Sequence, residues 1–169
     1  MKKITQKDIE KIYKKHKKSH AENEPTDCSN SILEDVQLKF QIFNGANFSN
    51  CKAEYLVLDG TKLEKTNFSY AYIKNSTINK VCLPQADLSN STFINTHIVN
   101  TSFWSSNCNN IKFTNCTLNT CNFDNANLKD ASFKDCYIKK CTFIDSILDP
   151  AILDEAVEVL DIQLAGNAN

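Results

Sequence analysis

Eight cysteines are the first side chains in this chain that could do chemistry. Thiolates ligate soft metals and pair as disulfides, and zinc sites show closely spaced Cys or His pairs. The spacing points to neither use. No two cysteines stand three apart, and no His lies beside a Cys pair. Instead Cys51, Cys116, Cys121, Cys136 and Cys141 share one phase of a five-residue count, with Cys116 and Cys136, and Cys121 and Cys141, 20 residues apart. Cys28 and Cys108 share another phase, and Cys82 stands alone in a third. A buried free cysteine behaves as a small apolar residue, which is the role this pattern asks for. No structural metal and no disulfide is expected.

The three histidines offer little more. His16 and His20 are one helical turn apart and could reach one ion, but Lys14, Lys15, Lys17 and Lys18 surround them and repel cations. The expectation is solvated helix surface. His97 has no nucleophile or acid at an arguable spacing, because Ser, Thr, Asn and Asp are spread along the whole chain. No catalytic residue and no cofactor is expected. Lys7, Lys11, Lys14, Lys15, Lys17 and Lys18 could meet an anionic surface, yet Glu10, Glu22 and Glu24 dilute them, and a solvated face is the simpler reading.

Composition narrows the classes further. All 19 basic residues are Lys, against 20 Asp and Glu, for a net charge of −1. Without Arg the chain lacks the bidentate fork for phosphate or guanine, so direct nucleic-acid binding is not expected. Three Gly exclude a glycine-rich phosphate loop. No apolar run approaches the ~18 residues that span a bilayer, and no apolar segment follows Met1-Lys2-Lys3 as in a signal peptide. A single-domain cytoplasmic protein is expected. The Lys, Asn and Ile bias suggests a bacterial or phage gene rich in A/T codons.

What positions these residues is a repeat. Residues 31–150 divide into 24 blocks of five, and 22 of the 24 middle residues are Leu, Ile or Phe, the exceptions being Ala53 and Cys108. Nine of the ten Phe fall there: Phe43, Phe48, Phe68, Phe93, Phe103, Phe113, Phe123, Phe133 and Phe143. Two residues earlier the side chain is small in 21 blocks, the exceptions being Gln41, Leu56 and Ile111. A period of five fits neither a helix at 3.6 nor a strand at 2. It fits a short extended piece and a turn. Four such pieces close a lap, whose sides stack on the next lap at ~4.8 Å. Large and small residues both point inward and alternate to fill a narrow interior. Reading every twentieth residue gives aromatic columns such as Phe93, Phe113, Phe133 and Phe103, Phe123, Phe143. Asn recurs at block ends (Asn50, Asn75, Asn90, Asn95, Asn100, Asn110, Asn115, Asn125), where it tolerates a left-handed corner.

Blocks such as Ala46-Asn47-Phe48-Ser49-Asn50 and Ala86-Asp87-Leu88-Ser89-Asn90 resemble the pentapeptide repeat family. The resemblance implies an all-β solenoid, a right-handed quadrilateral β-helix, here of about six coils with N- and C-terminal capping α-helices.

The expected organisation is an N-terminal helix and linker over 1–25, the repeat β-helix over 26–150, and a C-terminal helix over 151–169. Thr5 with Asp8 reads as a capping box, and a helix follows from about Gln6 to His20 with Ile9, Ile12, Tyr13 and His16 on one face. Glu22 to Pro25 links it to the first coil. Asp149-Pro150 reads as a helix start, with Leu153, Ala156, Val157, Leu160 and Leu164 on one face and Gly166 and Asn167 as the stop. That face is expected to cover the last coil. Since the resemblance extends to proteins joined end to end by a C-terminal segment, it is also the expected contact of a homodimer.

The functional expectation is a non-catalytic structural or protein-interaction module, a rigid rod presented to a protein partner. Trp104, Tyr70 and Tyr72 are outward-facing aromatics and candidate contacts. The alternative, implied by the resemblance, is a DNA-mimicking protein that binds type II topoisomerases such as gyrase, of the quinolone-resistance type. Mimicry needs an acidic field, whereas residues 31–148 hold eleven Lys and ten acidic residues. A membrane-directed effector is a third class, supported only by the Lys-rich helix.

Overall fold

The computed structural model describes residues 1–19 and 26–164. The expectations for His20, for the link over 22–25, and for a stop at Gly166 and Asn167 lie outside the described residues. Each block of five forms one side of a four-sided coil. At every fifth position from Asn30 to Asp145 the backbone turns a corner with φ between 50° and 71°. Nine of these 24 corners are Asn, four are Asp and two are Gly, the residues that reach this region at least cost. Four corners return the chain to its starting side, one rung further along the axis. Phe93 thus pairs with Phe113 and Phe113 with Phe133, in parallel register.

Two adjacent sides are short strands. The first side is a seven-stranded parallel sheet running from Lys2–Ile4 through Ser31–Glu34 to Ser132–Lys134. The second is another, from Gln37–Lys39 to Glu158–Leu160. The third and fourth sides are joined mainly by single bridges, such as Lys62 to Cys82 and Asn67 to Asp87. Each of those sides ends in a β-turn: the amide of Ala46 donates to the Phe43 carbonyl, and that of Ala126 to Phe123. The left-handed residue in third place is the type II pattern. The stack has about seven turns where the blocks alone predict six coils, because both ends add rungs.

At the N-terminal end the capping box forms. The Thr5 amide donates to the Asp8 carboxylate at 3.1 Å, and the Asp8 amide to the Thr5 hydroxyl at 3.3 Å. Helix α1 follows over Gln6–Ser19. Lys2–Ile4 before it is a strand, β1, whose Ile4 pairs with Leu33. The Gln6 amide extends the next edge: its Nε2 donates to the Gln37 carbonyl at 3.1 Å, and its Oε1 accepts from the Gln37 N–H at 2.8 Å. Ile9 is fully buried. The rings of Tyr13 and His16 both sit 5.1 Å from Phe43, so α1 covers that ring where no earlier coil exists. His16 is therefore buried rather than solvated, and its Nδ1 lies 2.7 Å from the Thr26 hydroxyl.

The C-terminal end departs from expectation. Asp149 does cap, its carboxylate accepting from the Ala151 amide at 3.0 Å, but the element it starts is a 3-10 helix of six residues, Pro150–Glu155. No α-helix forms within 151–164. The chain instead lays down strands Glu158–Leu160 and Gln163–Leu164 on the last coil. The lap is one residue longer there, since Tyr137 pairs with Glu158. Only Leu153 of the predicted face is buried, while Val157, Leu160 and Leu164 are exposed and Val159 packs on the core instead. An isolated short helix is marginal, whereas the last coil offers ready ladder partners. Val157, Val159 and Ile162 also favour strand over helix.

Inside, all nine Phe at block centres are buried. Phe103, Phe123 and Phe143 stack face to face, 4.6 and 5.2 Å apart and within 2° of parallel. Phe93, Phe113 and Phe133 stack on the opposite side, across the core, at 5.1 Å. The two columns meet edge to face, as between Phe123 and Phe133 at 85°, an arrangement favoured by the ring quadrupoles.

Candidate interaction faces

The inward slots explain why this core accepts Ser, Thr and Cys. After a type II turn, a buried hydroxyl bonds the turn carbonyl: Ser91 to Leu88, Thr66 to Leu63 and Ser106 to Phe103, each at 2.6 Å. On the strand sides the hydroxyl or thiol reaches a carbonyl two residues back, as Thr96 does to Ile94. These polar groups are thus matched, which removes the cost of burying them. The thiols follow the same rule. Cys121 and Cys141 point their sulfurs at the carbonyls of Ile98 and Leu118. Seven of the eight cysteines are buried and only Cys82 is exposed. Burial pushes the thiols of Cys28, Cys51 and Cys108 up to about 12. Those of Cys136 and Cys121 are also raised, by hydrogen bonds with Cys116 and Cys141 and then by burial. Such groups are neither nucleophiles nor metal ligands at neutral pH.

The outer surface is built from columns of polar side chains one rung apart. Asn75, Asn95 and Asn115 form a corner ladder through their amides, at 3.1 and 2.8 Å, and the Asn75 amide bonds Glu54 at 2.9 Å. On the fourth side Asp27, Asn47, Asn67, Asp87, Asn107 and Asn127 each accept the backbone N–H two residues on. These hydrogen bonds fix the direction of the outward groups. The Ser29 amide also holds the Asp27 carboxyl below the usual carboxylate range.

The aromatic candidates do not form one patch. Tyr72 projects from the first side. Tyr70 stands on the corner between the fourth and first sides. Trp104 lies on the third side, opposite Tyr72, by the register of the coils. Near Tyr72 the first side carries a depression of about 270 Å³, rimmed by Ile32, Lys52 and Tyr72 on one flank and Glu34, Glu54 and Lys74 on the other. Sequence reading does not find it, because a flank of one-in, one-out strands looks alike on every coil. Its rim carries both signs: Glu34 and Glu54 stand on consecutive rungs, Lys3 pairs with Glu34 at 2.7 Å and Lys74 with Glu54 at 4.0 Å. Among the described residues, no helix is long and apolar enough to cross a membrane.

Family models match the five-residue repeat. The family model for pentapeptide repeats matches residues 31–69, and that for a pentapeptide repeat region matches residues 75–143. No curated protein matches the chain. Among solved structures, trypsin-treated QnrB1, described as a plasmid-mediated fluoroquinolone resistance protein, is 11% identical with a TM-score of 0.49, over 83% of this chain and 86% of its own. Rfr23, a pentapeptide repeat protein of the cyanobacterium Cyanothece, is 14% identical with a TM-score of 0.42, over 73% and 91%. HetL of the cyanobacterium Nostoc, described as involved in heterocyst differentiation regulation, is 12% identical with a TM-score of 0.30, over 86% and 92%. With its unbroken five-residue period, its four-sided coils and two family matches that together span most of its length, the chain belongs to the pentapeptide repeat family.

Proposed function

We propose that this protein acts without catalysis, as a stiff scaffold whose flat outer faces bind a protein partner. The observation that carries the proposal is the outer surface itself. Polar side chains are held at a fixed rung spacing by hydrogen bonds to one another and to the backbone. Such preorganised groups lose little freedom on binding, which is how a flat face gains affinity. Exposed aromatics supply the anchors such faces use. The first side is the better candidate, because Tyr72 there flanks a depression with both charge signs. A reducing compartment such as the cytoplasm suits eight free thiols.

The alternative is a DNA-mimicking topoisomerase binder. It is disfavoured by the mixed charge of the coils, eleven Lys against ten acidic residues over 31–148, where mimicry needs a continuous negative field. Gyrase supercoiling is expected to be unchanged by added protein.

The direct test places a photo-crosslinking residue at Tyr72 or at Trp104 and irradiates in the native host. One recurrent protein adduct from the Tyr72 side, absent with Tyr70→Ala, is expected. No adduct from any side, together with measurable turnover of a small-molecule substrate, would overturn the proposal.

A further inference from the structure

The two ends of the rod differ in a way its faces do not. Residues 1–19 carry eight Lys against Asp8 and Glu10. Residues 141–164 carry Asp145, Asp149, Asp154, Glu155, Glu158 and Asp161 and no Lys. Residues 20–140 between them are nearly balanced, with eleven Lys and twelve acidic side chains. Even with Glu22 and Glu24 counted at the N-terminal end, the molecule is a charge dipole along its axis.

Exposed apolar residues sort the same way. Between the end coils they are Tyr55, Tyr70, Tyr72 and Trp104, and on the last coil Tyr137, each with a polar handle. Exposed side chains without one are confined to the ends: Met1, Phe40 and Ile42 at the first, Ile144, Ile147, Val157, Leu160 and Leu164 at the last. The ends also differ in backbone. At the first, α1 and β1 cover the stack. At the last, Glu158–Leu160 and Gln163–Leu164 are each terminal in their sheets among the described residues, so their outer edges are open to a partner.

From this complementarity we infer that the acidic, apolar C-terminal end docks onto the Lys-rich N-terminal end of a second copy, so that rods associate head to tail. The placement of elements supports that order. α1 lies over the second and third sides, where Gln6 bonds Gln37 and Tyr13 packs on Phe43. The two open edges lie on those same sides at the other end. A copy translated along the axis therefore brings α1 opposite Glu158–Leu160 and Gln163–Leu164. A two-fold, tail-to-tail dimer would instead press two acidic ends together. A head-to-tail contact is heterologous and does not close, so it yields oligomers that lengthen with concentration. The inference is independent of which partner the flat faces bind.

Sedimentation velocity of the full chain, across a concentration series at low and at high salt, tests this. At low salt the average mass is expected to rise from the 19.1 kDa monomer past the dimer. High salt is expected to reverse the rise, because ionic contacts are screened beyond ~8 Å already at physiological strength. A head variant carries Lys11→Glu, Lys14→Glu and Lys15→Glu, and a tail variant carries Glu158→Lys and Asp161→Lys. Each alone is expected to weaken association about tenfold or more, and mixing the two to restore it. All five positions are exposed, and unchanged circular dichroism would confirm that each variant folds. A monomer at every concentration, or a dimer indifferent to the head substitutions, would overturn the inference, the second result establishing tail-to-tail pairing.

Discussion

Each corner of the coil asks one residue for a left-handed backbone, and the choice of residue has measurable consequences. Gly60, at φ +59°, lies under the Phe40 ring, and a Cβ added there would meet Phe40 Cδ1 at 2.5 Å. Gly60→Ala is expected to cost about 1–2 kcal/mol from the backbone conformation. It should cost more from displacing the ring, with Phe40→Ala relieving only the second part, as read by urea denaturation. At Gly45 a Cβ would meet nothing within 4 Å, so Gly45→Ala should show the backbone cost alone. Thiol chemistry gives a second test. One of the eight cysteines, Cys82, should react with a thiol reagent in the folded protein, and all eight after denaturation. A third concerns acid. Hydrogen bonds from Thr5 and from Ser29 hold Asp8 and Asp27 below their unfolded values. Their contribution is then complete above the ordinary carboxylate range and lost as pH falls through the depressed values. Asp27→Asn keeps the turn, as Asn47 and Asn67 do, and should flatten part of the acid limb of a melting-temperature profile.

Among the elements, the aromatic columns and the caps carry different loads. Phe123 touches Phe103 and Phe143 face to face and Phe113 and Phe133 edge to face. Phe123→Ala is expected to cost about 3–5 kcal/mol, because rigid neighbouring rings cannot collapse into the space. His16→Ala removes a single stacking partner at the frayable end and should cost less, with early loss of α1 in hydrogen exchange. The columns were legible in the sequence since a side chain recurring once per lap can only stack on itself. The capping box was legible because Thr5 and Asp8 act locally. The strand β1 was not, since so short a segment carries no period and Lys2–Ile4 finds its partner in Ser31–Leu33, across the whole of α1. The C-terminal helix was misread for the related reason that Leu153, Val157, Leu160 and Leu164 do fall at helical spacing. Val159 and Ile162, off that face, pack on the last coil beside Leu153 and Ala156, while Val157, Leu160 and Leu164 do not. His16 was misjudged from its Lys neighbours, although its place on the Ile9–Ile12–Tyr13 face already pointed inward. Local pattern decides an element until a long-range edge offers it more hydrogen bonds.

For the molecule as a whole, folding is winding, and every functional reading rests on that geometry. Flat faces, aligned polar columns and two unlike ends all follow from one four-sided lap repeated along the rod. Distances along one outer column test the winding directly. In a Cys82→Ser background, where the remaining thiols are buried, spin labels at Gln37→Cys and at position 97, 117 or 137 sit on one column of the second side. Pulsed dipolar spectroscopy should find backbone separations of about 14, 19 and 24 Å, rising by ~4.8 Å for each lap. Separations that do not increase in equal steps with each lap, or that scatter broadly, would contradict the four-sided coil and every reading built upon it.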